Sequence, residues 1–315
     1  MSEIEYHRKL LGDRVRNAAF HEALKRSIKP GKTTVLDIGA GTGFLSFLAR
    51  KLGAQQCTLI EYTDMLDVAE AIARANRFDG LALIKGHSGE LRGLPKFDLV
   101  VSETLGNFAL EEGMLETLVD ARRFLARGGQ IMPMRLRQFV APVVRPRLQK
   151  EVDVWRDVGF DIDLAAARAI ALDNMYVKAV TRADLGGSTA HAQQWDELDF
   201  RPSARPPSSL RHAQLSWSAR KLGSRVFGFA LWWECELVPG VTLSTSPSAK
   251  PTHWEQIYLP LLELLVLQPS DRIELHLTSD TRPHTGLDVQ WKTIHRRGSR
   301  TISTQQQNIA KGRVG

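Results

Sequence analysis

Apolar residues recur over the first 28 positions at Leu10, Leu11, Val15, Ala18, Ala19 and Leu24, a spacing that predicts one amphipathic helix or two short ones. Pro30-Gly31 breaks it. From there the pattern switches between two periods. Thr33 to Ile38, Thr58 to Glu61, Leu81 to Lys85 and Phe97 to Val101 are short apolar runs of strand type, whereas Phe44 to Leu52, Met65 to Asn76 and Met114 to Leu125 have helical spacing. Strands alternating with helices over short connections predict right-handed β-α-β units and an open parallel sheet with helices on both faces. Ligands in such sheets bind outside the carboxyl ends of the strands, and Gly39, Glu61, Ser88 to Glu90 and Glu103 all fall at such ends.

After Gly128-Gly129 the character changes. Ile131 to Pro133, Phe139 to Val144, Leu215 to Ser218, Arg225 to Leu237, Thr242 to Ser244, Ile257 to Leu259 and Arg272 to Leu277 are rich in β-branched and aromatic residues, and glycine, proline and serine separate them. That pattern predicts an antiparallel barrel or sandwich. The exception is Val152 to Leu172, a helical insertion whose apolar side (Phe160, Ile162, Leu164, Ala167, Ile170, Ala171) has no obvious cover from neighbours in sequence.

At 315 residues the chain can form two domains, and its 43% apolar and 24% charged content is that of a soluble globular protein. Cys57 and Cys235 are too few and too far apart for a disulfide scaffold, and no metal site is expected. The N-terminus carries acids where a secretory signal needs a basic and then an apolar run. The longest apolar stretch, Tyr258 to Leu267, is interrupted by Pro260 and Glu263 and is too short for a bilayer, so a cytoplasmic location is expected. A net charge of +7 raises the question of nucleic acid, but no lysine or arginine block exceeds a few residues and no aromatic and basic reading strip accompanies them.

The candidate chemistry begins at Gly39-Ala40-Gly41-Thr42-Gly43. Glycines there permit a tight turn and close approach of a ligand to the backbone. The G-x-G-x-G spacing differs from the dinucleotide fingerprint, whose last two glycines lie one residue further apart, and favours S-adenosylmethionine over NAD. Glu61, ending the second strand, suits the ribose hydroxyls; Asp37, just before the loop, suits a role in orienting it. Glu103 and Glu112 then place two carboxylates near the same strand ends. Alone they would repel and raise one pKa, but a guanidinium between them gives each oxygen a donor. A free guanidinium has no nitrogen lone pair to offer. Two anions that localise its charge leave electron density on the nitrogen facing an activated methyl, and one of them can take the released proton.

Here the residues resemble the protein arginine N-methyltransferase family. Ser102-Glu103-Thr104-Leu105-Gly106 through Glu112-Gly113-Met114-Leu115 is similar to its two-glutamate hairpin, and Thr252-His253-Trp254, after Ser244 to Pro247, is similar to its threonine-histidine-tryptophan loop. The resemblance covers nearly the whole chain. It implies an α/β Rossmann-like methyltransferase domain with an N-terminal helix (1–133), followed by an antiparallel β-barrel domain (134–315) with a helical dimerisation arm (about 152–185) and a hinge at Pro133. It implies S-adenosyl-L-methionine as cofactor and a homodimer. Glu103 and Glu112 take the guanidinium-holding positions, with Glu111 one residue out of register. His253 and Asp13 take those of a histidine–aspartate pair. Arg16 matches the arginine for the cofactor carboxylate, His7 a nearby histidine, and Gly89 or Glu90 the adenine-contacting acid. Met114 and Leu10 border the methyl-accepting space.

The chain also departs from the family pattern. The family's tyrosine-rich N-terminal helix has no equivalent motif, only Tyr6 lying upstream, and Thr104 and Asn107 replace a tryptophan and a tyrosine. The substrate expected is arginine in a protein or peptide. Free arginine or another small guanidino compound is the alternative, favoured by these departures and by the positive charge, and an inactive methyltransferase-like scaffold is a third reading.

Overall fold

The computed structural model describes residues 3–313. The opening pattern resolves into two helices, α1 (Glu3–Gly12) and α2 (Arg14–Ser27), with Asp13 between them. Asp13 has extended backbone angles and its carboxylate accepts the Arg16 N–H, which makes it the N-cap of α2 and explains why the helix restarts there.

The parallel half follows as β1 (Thr34–Ile38), α3 (Phe44–Lys51), β2 (Gln56–Glu61), α4 (Met65–Ala75), β3 (Leu81–Lys85), β4 (Phe97–Ser102), α5 (Met114–Ala121) and β5 (Leu125–Met132). The strand order is β3-β2-β1-β4-β5, parallel throughout. The chain direction of travel reverses between β1 and β4, so the crevice for a ligand lies at the carboxyl ends of these two strands. Two expectations need correction. The helix from Met114 stops at Ala121, followed by a 3₁₀ turn at Arg122–Phe124, and Leu125 already belongs to a strand. Gly128 and Gly129 do not end the parallel half but lie inside β5. A β-carbon on Gly129 would sit 2.9 Å from the Phe97 carbonyl oxygen, and the β4–β5 register shifts between Phe97 and Leu99.

The remaining chain forms β6 (Arg135–Val143), α6 (Arg147–Val152), α7 (Ala165–Leu172), β7 (Tyr176–Lys178), β8 (Gln193–Asp199), β9 (Leu210–Ser218), α8 (Ala219–Leu222), β10 (Arg225–Val238), β11 (Val241–Ser244), β12 (Gln256–Val266), β13 (Asp271–Asp280), β14 (Asp288–Arg297) and β15 (Arg300–Asn308). Two antiparallel sheets result, one ordered β7-β12-β10-β6-β8 with β11 on β10, the other β15-β14-β13-β9. Trp217, Phe229, Trp233, Leu275 and Trp291 are among the residues of their shared core. Side chains bridge both margins: Gln193 Nε2 donates to the Ser216 carbonyl at 2.8 Å, and Gln305 exchanges bonds of 3.0 and 2.7 Å with the Glu263 backbone.

The insertion over 152–172 is not one helix. A 3₁₀ turn at Val154–Arg156 and a left-handed turn through Gly159, Phe160 and Asp161 separate α6 from α7. Part of its apolar side is uncovered, with Phe160 88% and Ile162 62% exposed, while Leu164, Ala167 and Ala171 are half-buried. The two halves are clamped by Arg122, which donates to the carbonyls of Asp199, Phe200 and Ala204 at 3.0, 3.1 and 2.9 Å. No helix among the described residues is long and apolar enough to cross a membrane.

Candidate active site

The glycine loop leaves β1 and enters α3 with Gly39, Gly41 and Gly43 all at positive φ (72°, 52° and 77°), a backbone that glycine adopts without strain. The three differ in what they face. A β-carbon on Gly41 would fall 2.4 Å from His7 Cε1, so the His7 ring of α1 lies directly over the loop. A β-carbon on Gly43 would strike Phe47 and Leu59, which makes Gly43 a packing position at the start of α3. Asp37 is buried and accepts the Ser46 hydroxyl at 2.8 Å, tying β1 to α3; burial pushes its pKa up to about 6. Glu61, also buried, accepts the backbone N–H groups of Gly41 and Thr63, both at 2.9 Å. Burial lowers the pKa of His7.

Glu103 follows the end of β4, and the chain then turns through a Gly106–Ala109 bridge to Glu112, just before α5. Tyr6, His7, Leu10, Gly39, Gly41, Glu61, Glu103 and Glu112 line one cavity of about 640 Å³. Arg16 also reaches this end of the sheet, but it pairs with Glu103: its Nε donates to Glu103 Oε2 at 2.8 Å and a terminal nitrogen bonds the same oxygen. Glu112 accepts from the Tyr6 hydroxyl at 2.9 Å. Its pKa is raised, by burial and by the charge of Glu103, against the lowering effect of the Tyr6 bond and of His253. Glu111 points elsewhere. Its carboxylate accepts the Phe108 N–H at 3.0 Å and occupies the place a β-carbon on Gly106 would take, 1.8 Å away, so it braces the turn.

The antiparallel half holds this turn in shape. Trp254 Nε1 donates to the Leu105 carbonyl at 2.6 Å, Trp233 Nε1 to the Gly106 carbonyl at 3.1 Å, and the Glu255 N–H to Asn107 Oδ1 at 3.0 Å. His253 binds Asp13 twice, through its backbone N–H and its ring Nδ1, both at 2.8 Å to Oδ2. Burial alone would raise the Asp13 pKa, but the bonds from His253 and the Arg16 N–H hold it below the usual range.

Other expected positions fall outside the main cavity. Gly89 sits in a 3₁₀ turn (Ser88–Glu90) and lines a neighbouring cavity of about 400 Å³ together with Glu111, Glu112 and Thr117; Glu90 is exposed and lines neither. Met114 is fully buried in the core, whereas Leu10 lines the main cavity. Tyr6 and Trp233 carry contacts that no sequence motif announces.

Comparison with known proteins gives this arrangement a class. A family model described as "Arginine methyltransferase oligomerization subdomain" matches residues 136–292, and one described as "Methyltransferase domain" matches residues 29–181. The protein arginine N-methyltransferase 6 of Xenopus tropicalis is 31% identical over 300 residues, covering 90% of this chain and 86% of that one. The protein arginine N-methyltransferase 1 of Dictyostelium discoideum is 30% identical over 293 residues, covering 86% and 80%. Among solved structures, the Trypanosoma brucei PRMT1 enzyme–prozyme heterotetrameric complex with AdoHcy superposes with a TM-score of 0.81 at 24% identity, covering 96% of both chains. Arabidopsis thaliana protein arginine methyltransferase 10 does so at 0.77 and 20%, covering 97% of both. Fold and matches define a methyltransferase sheet joined to an oligomerisation subdomain. The chain belongs to the protein arginine N-methyltransferase family, whose members depend on S-adenosylmethionine.

Proposed function

We propose that this chain transfers a methyl group from S-adenosylmethionine to a guanidino nitrogen of arginine in a protein or peptide. The observation that carries the reading is the convergence of Glu103 and Glu112 on the cavity that also contains Glu61 and the glycine loop.

The residues present fit the cofactor. Gly39 and Gly41 leave one wall free of β-carbons, Glu61 offers a buried carboxylate for the ribose hydroxyls, His7 covers the loop, and Arg16 lies near enough to meet a carboxylate. Asp37 and Gly43 hold the loop, and Gly89 with Glu90 is the segment for the adenine. When bound, S-adenosylmethionine supplies an electrophilic methyl on a sulfonium.

The chain's own residues do the rest. Arg16 pairs with Glu103 Oε2; the lone pairs left on Glu103 Oε1, beside its Leu105 N–H bond, and the Glu112 oxygen that Tyr6 does not hold are available to grip the acceptor. Holding its nitrogens fixes the direction of attack, which supplies much of the acceleration. As the N–C bond forms, the acceptor nitrogen loses a proton. Glu112, whose pKa burial raises and which no arginine among the described residues holds, is placed to take it, while the Asp13–His253 pair fixes the wall beside it.

The charge distribution supports a peptide substrate. The surplus of basic residues belongs to residues 134–315 (24 basic, 18 acidic), whereas residues 1–133, which build the cavity, are balanced (18 basic, 17 acidic). A domain boundary at 133/134 and a homodimer through an arm at about 152–185 are part of the same reading, supported by the exposed Val154, Phe160 and Ile162.

Tritiated cofactor, an arginine–glycine peptide and free arginine test the reading, with mass spectrometry counting methyl groups. Label on the peptide, lost by at least a hundredfold in Glu103→Gln and Glu112→Gln, is expected. Wild-type turnover in either variant sinks it, and label on free arginine alone moves the substrate to the small-molecule class.

A further inference from the structure

We propose that Tyr6 is a positioning residue for methyl transfer: its hydroxyl fixes one oxygen of Glu112, leaves the other to the acceptor, and couples that acid to the seating of α1 on the glycine loop. This rests on the reading of Glu112 as an acceptor-holding acid.

The two acids are anchored unequally. Glu103 receives Arg16 on one oxygen and the Leu105 N–H on the other, at 3.3 Å. Glu112 lies at the far end of the turn, past the residues that Trp254, Trp233 and Glu255 hold, and among the described residues the Tyr6 hydroxyl at 2.9 Å is its hydrogen-bond donor. A carboxylate on three rotatable side-chain bonds gains direction from such a contact, and direction is what an in-line displacement needs. Tyr6 and His7 are successive residues of α1, their rings edge to face at 6.1 Å. One holds the acceptor acid while the other covers Gly41. A shift of α1 off the loop therefore releases both. Tyr6, one turn before Leu10 on α1, supplies a link from the cofactor loop to the acceptor side.

The electrostatics agree. Glu112 is faced by Tyr6 from α1, by Glu103 after β4 with Arg16 from α2 bound to it, by Glu111 of its own turn, and by His253 from the loop before β12. Burial and Glu103 raise its pKa; the Tyr6 bond and His253 lower it. Burial and the nearby carboxylates hold the Tyr6 pKa far above its ordinary value, so it remains a donor at any working pH. Deleting the phenol hydroxyl removes a lowering contact, so Glu112 must titrate at higher pH.

The test is Tyr6→Phe in the full chain, with three measurements. Calorimetry with S-adenosylhomocysteine should show cofactor affinity within about twofold of wild type. Peptide kcat/KM should fall about tenfold, the order expected for one hydrogen bond to a charged group, with the acid limb of the pH profile moved up. ¹³C NMR of glutamate-labelled protein, with Glu112 assigned through Glu112→Gln, should show its midpoint raised by about half a unit or more. An unchanged Glu112 midpoint overturns the proposal, as does a loss of cofactor affinity equal to the loss in kcat/KM, which would make Tyr6 only a cover. Wild-type protein that methylates no guanidino acceptor would sink the proposed function instead, and the carboxyl titration would still decide the part played by Tyr6.

Discussion

Replacing Asp13 separates two contributions of one carboxylate. Oδ1 caps α2 by accepting the Arg16 N–H at 2.9 Å, and Oδ2 accepts both His253 donors at 2.8 Å. Asp13→Ala removes the cap, worth about 1 kcal/mol. It also strips the His253 N–H of its acceptor where the Asp13 side chain is only 3% exposed, adding about 1–3 kcal/mol. The expected loss is therefore about 2–4 kcal/mol. Asp13→Asn keeps one oxygen and must turn an amide N–H toward the other donor, so it should lose about half as much. The pH dependence follows from the lowered pKa. A carboxylate held below its unfolded value stabilises fully above about pH 4 and loses that contribution as pH falls through the folded value. Urea unfolding followed by tryptophan fluorescence is suited to the measurement, because the Trp254 ring lies 3.9 Å from that of His253. The gap between wild type and Asp13→Ala should be constant near neutrality and narrow below about pH 4. A gap under about 0.5 kcal/mol at pH 7, or one that widens on acidification, would refute the reasoning.

Asp37 should behave in the opposite sense. With its pKa pushed up to about 6, the folded state binds a proton that the unfolded chain releases between about pH 4 and 6, so stability falls across that interval. Asp37→Asn should remove this slope and be about 2–3 kcal/mol less unfavourable at pH 7.5 than at pH 4, read from parallel urea titrations. Arg122→Ala leaves three carbonyls without their donor and should lower stability by about 3 kcal/mol, most of it recovered in no conservative variant because lysine cannot reach all three. Gly106→Ala drives a methyl into the Glu111 carboxylate and should abolish most methyl transfer while cofactor affinity, measured by calorimetry, stays within about threefold.

The parallel half was legible because its strands are apolar runs and its helices are amphipathic; the loop, the acids at strand ends and the switch point follow from that alternation. The antiparallel half was harder. β15 reads Arg300-Thr-Ile-Ser-Thr-Gln-Gln-Gln-Asn308, and its inward positions are buried glutamines whose amides bond the Glu263 and Leu172 carbonyls, so no hydrophobic period marks it. β8 carries only Trp195 and Leu198, three positions apart, among polar residues, so it shows no strand alternation. Within the site, spacing proposes Glu103 and Glu112 but cannot show that Arg16, 87 positions away, already holds one of them. Nor can it show that Trp233, one of many apolar residues of β10, turns its indole N–H to the Gly106 carbonyl. Tyr6 alone on a polar helix gave no periodic or motif signal at all.

The three bonds that Trp254, Trp233 and Glu255 send to Leu105, Gly106 and Asn107 divide ownership of the loop between Glu103 and Glu112. Its peptide bonds belong to the sheet that feeds it, while its curvature is dictated from the other side of the molecule. A fragment cut after Met132 would keep the residues that line the main cavity and lose all three donors that hold the turn between Glu103 and Glu112. For anyone grafting this pair of acids onto another scaffold, the transferable unit is the loop together with its two indoles.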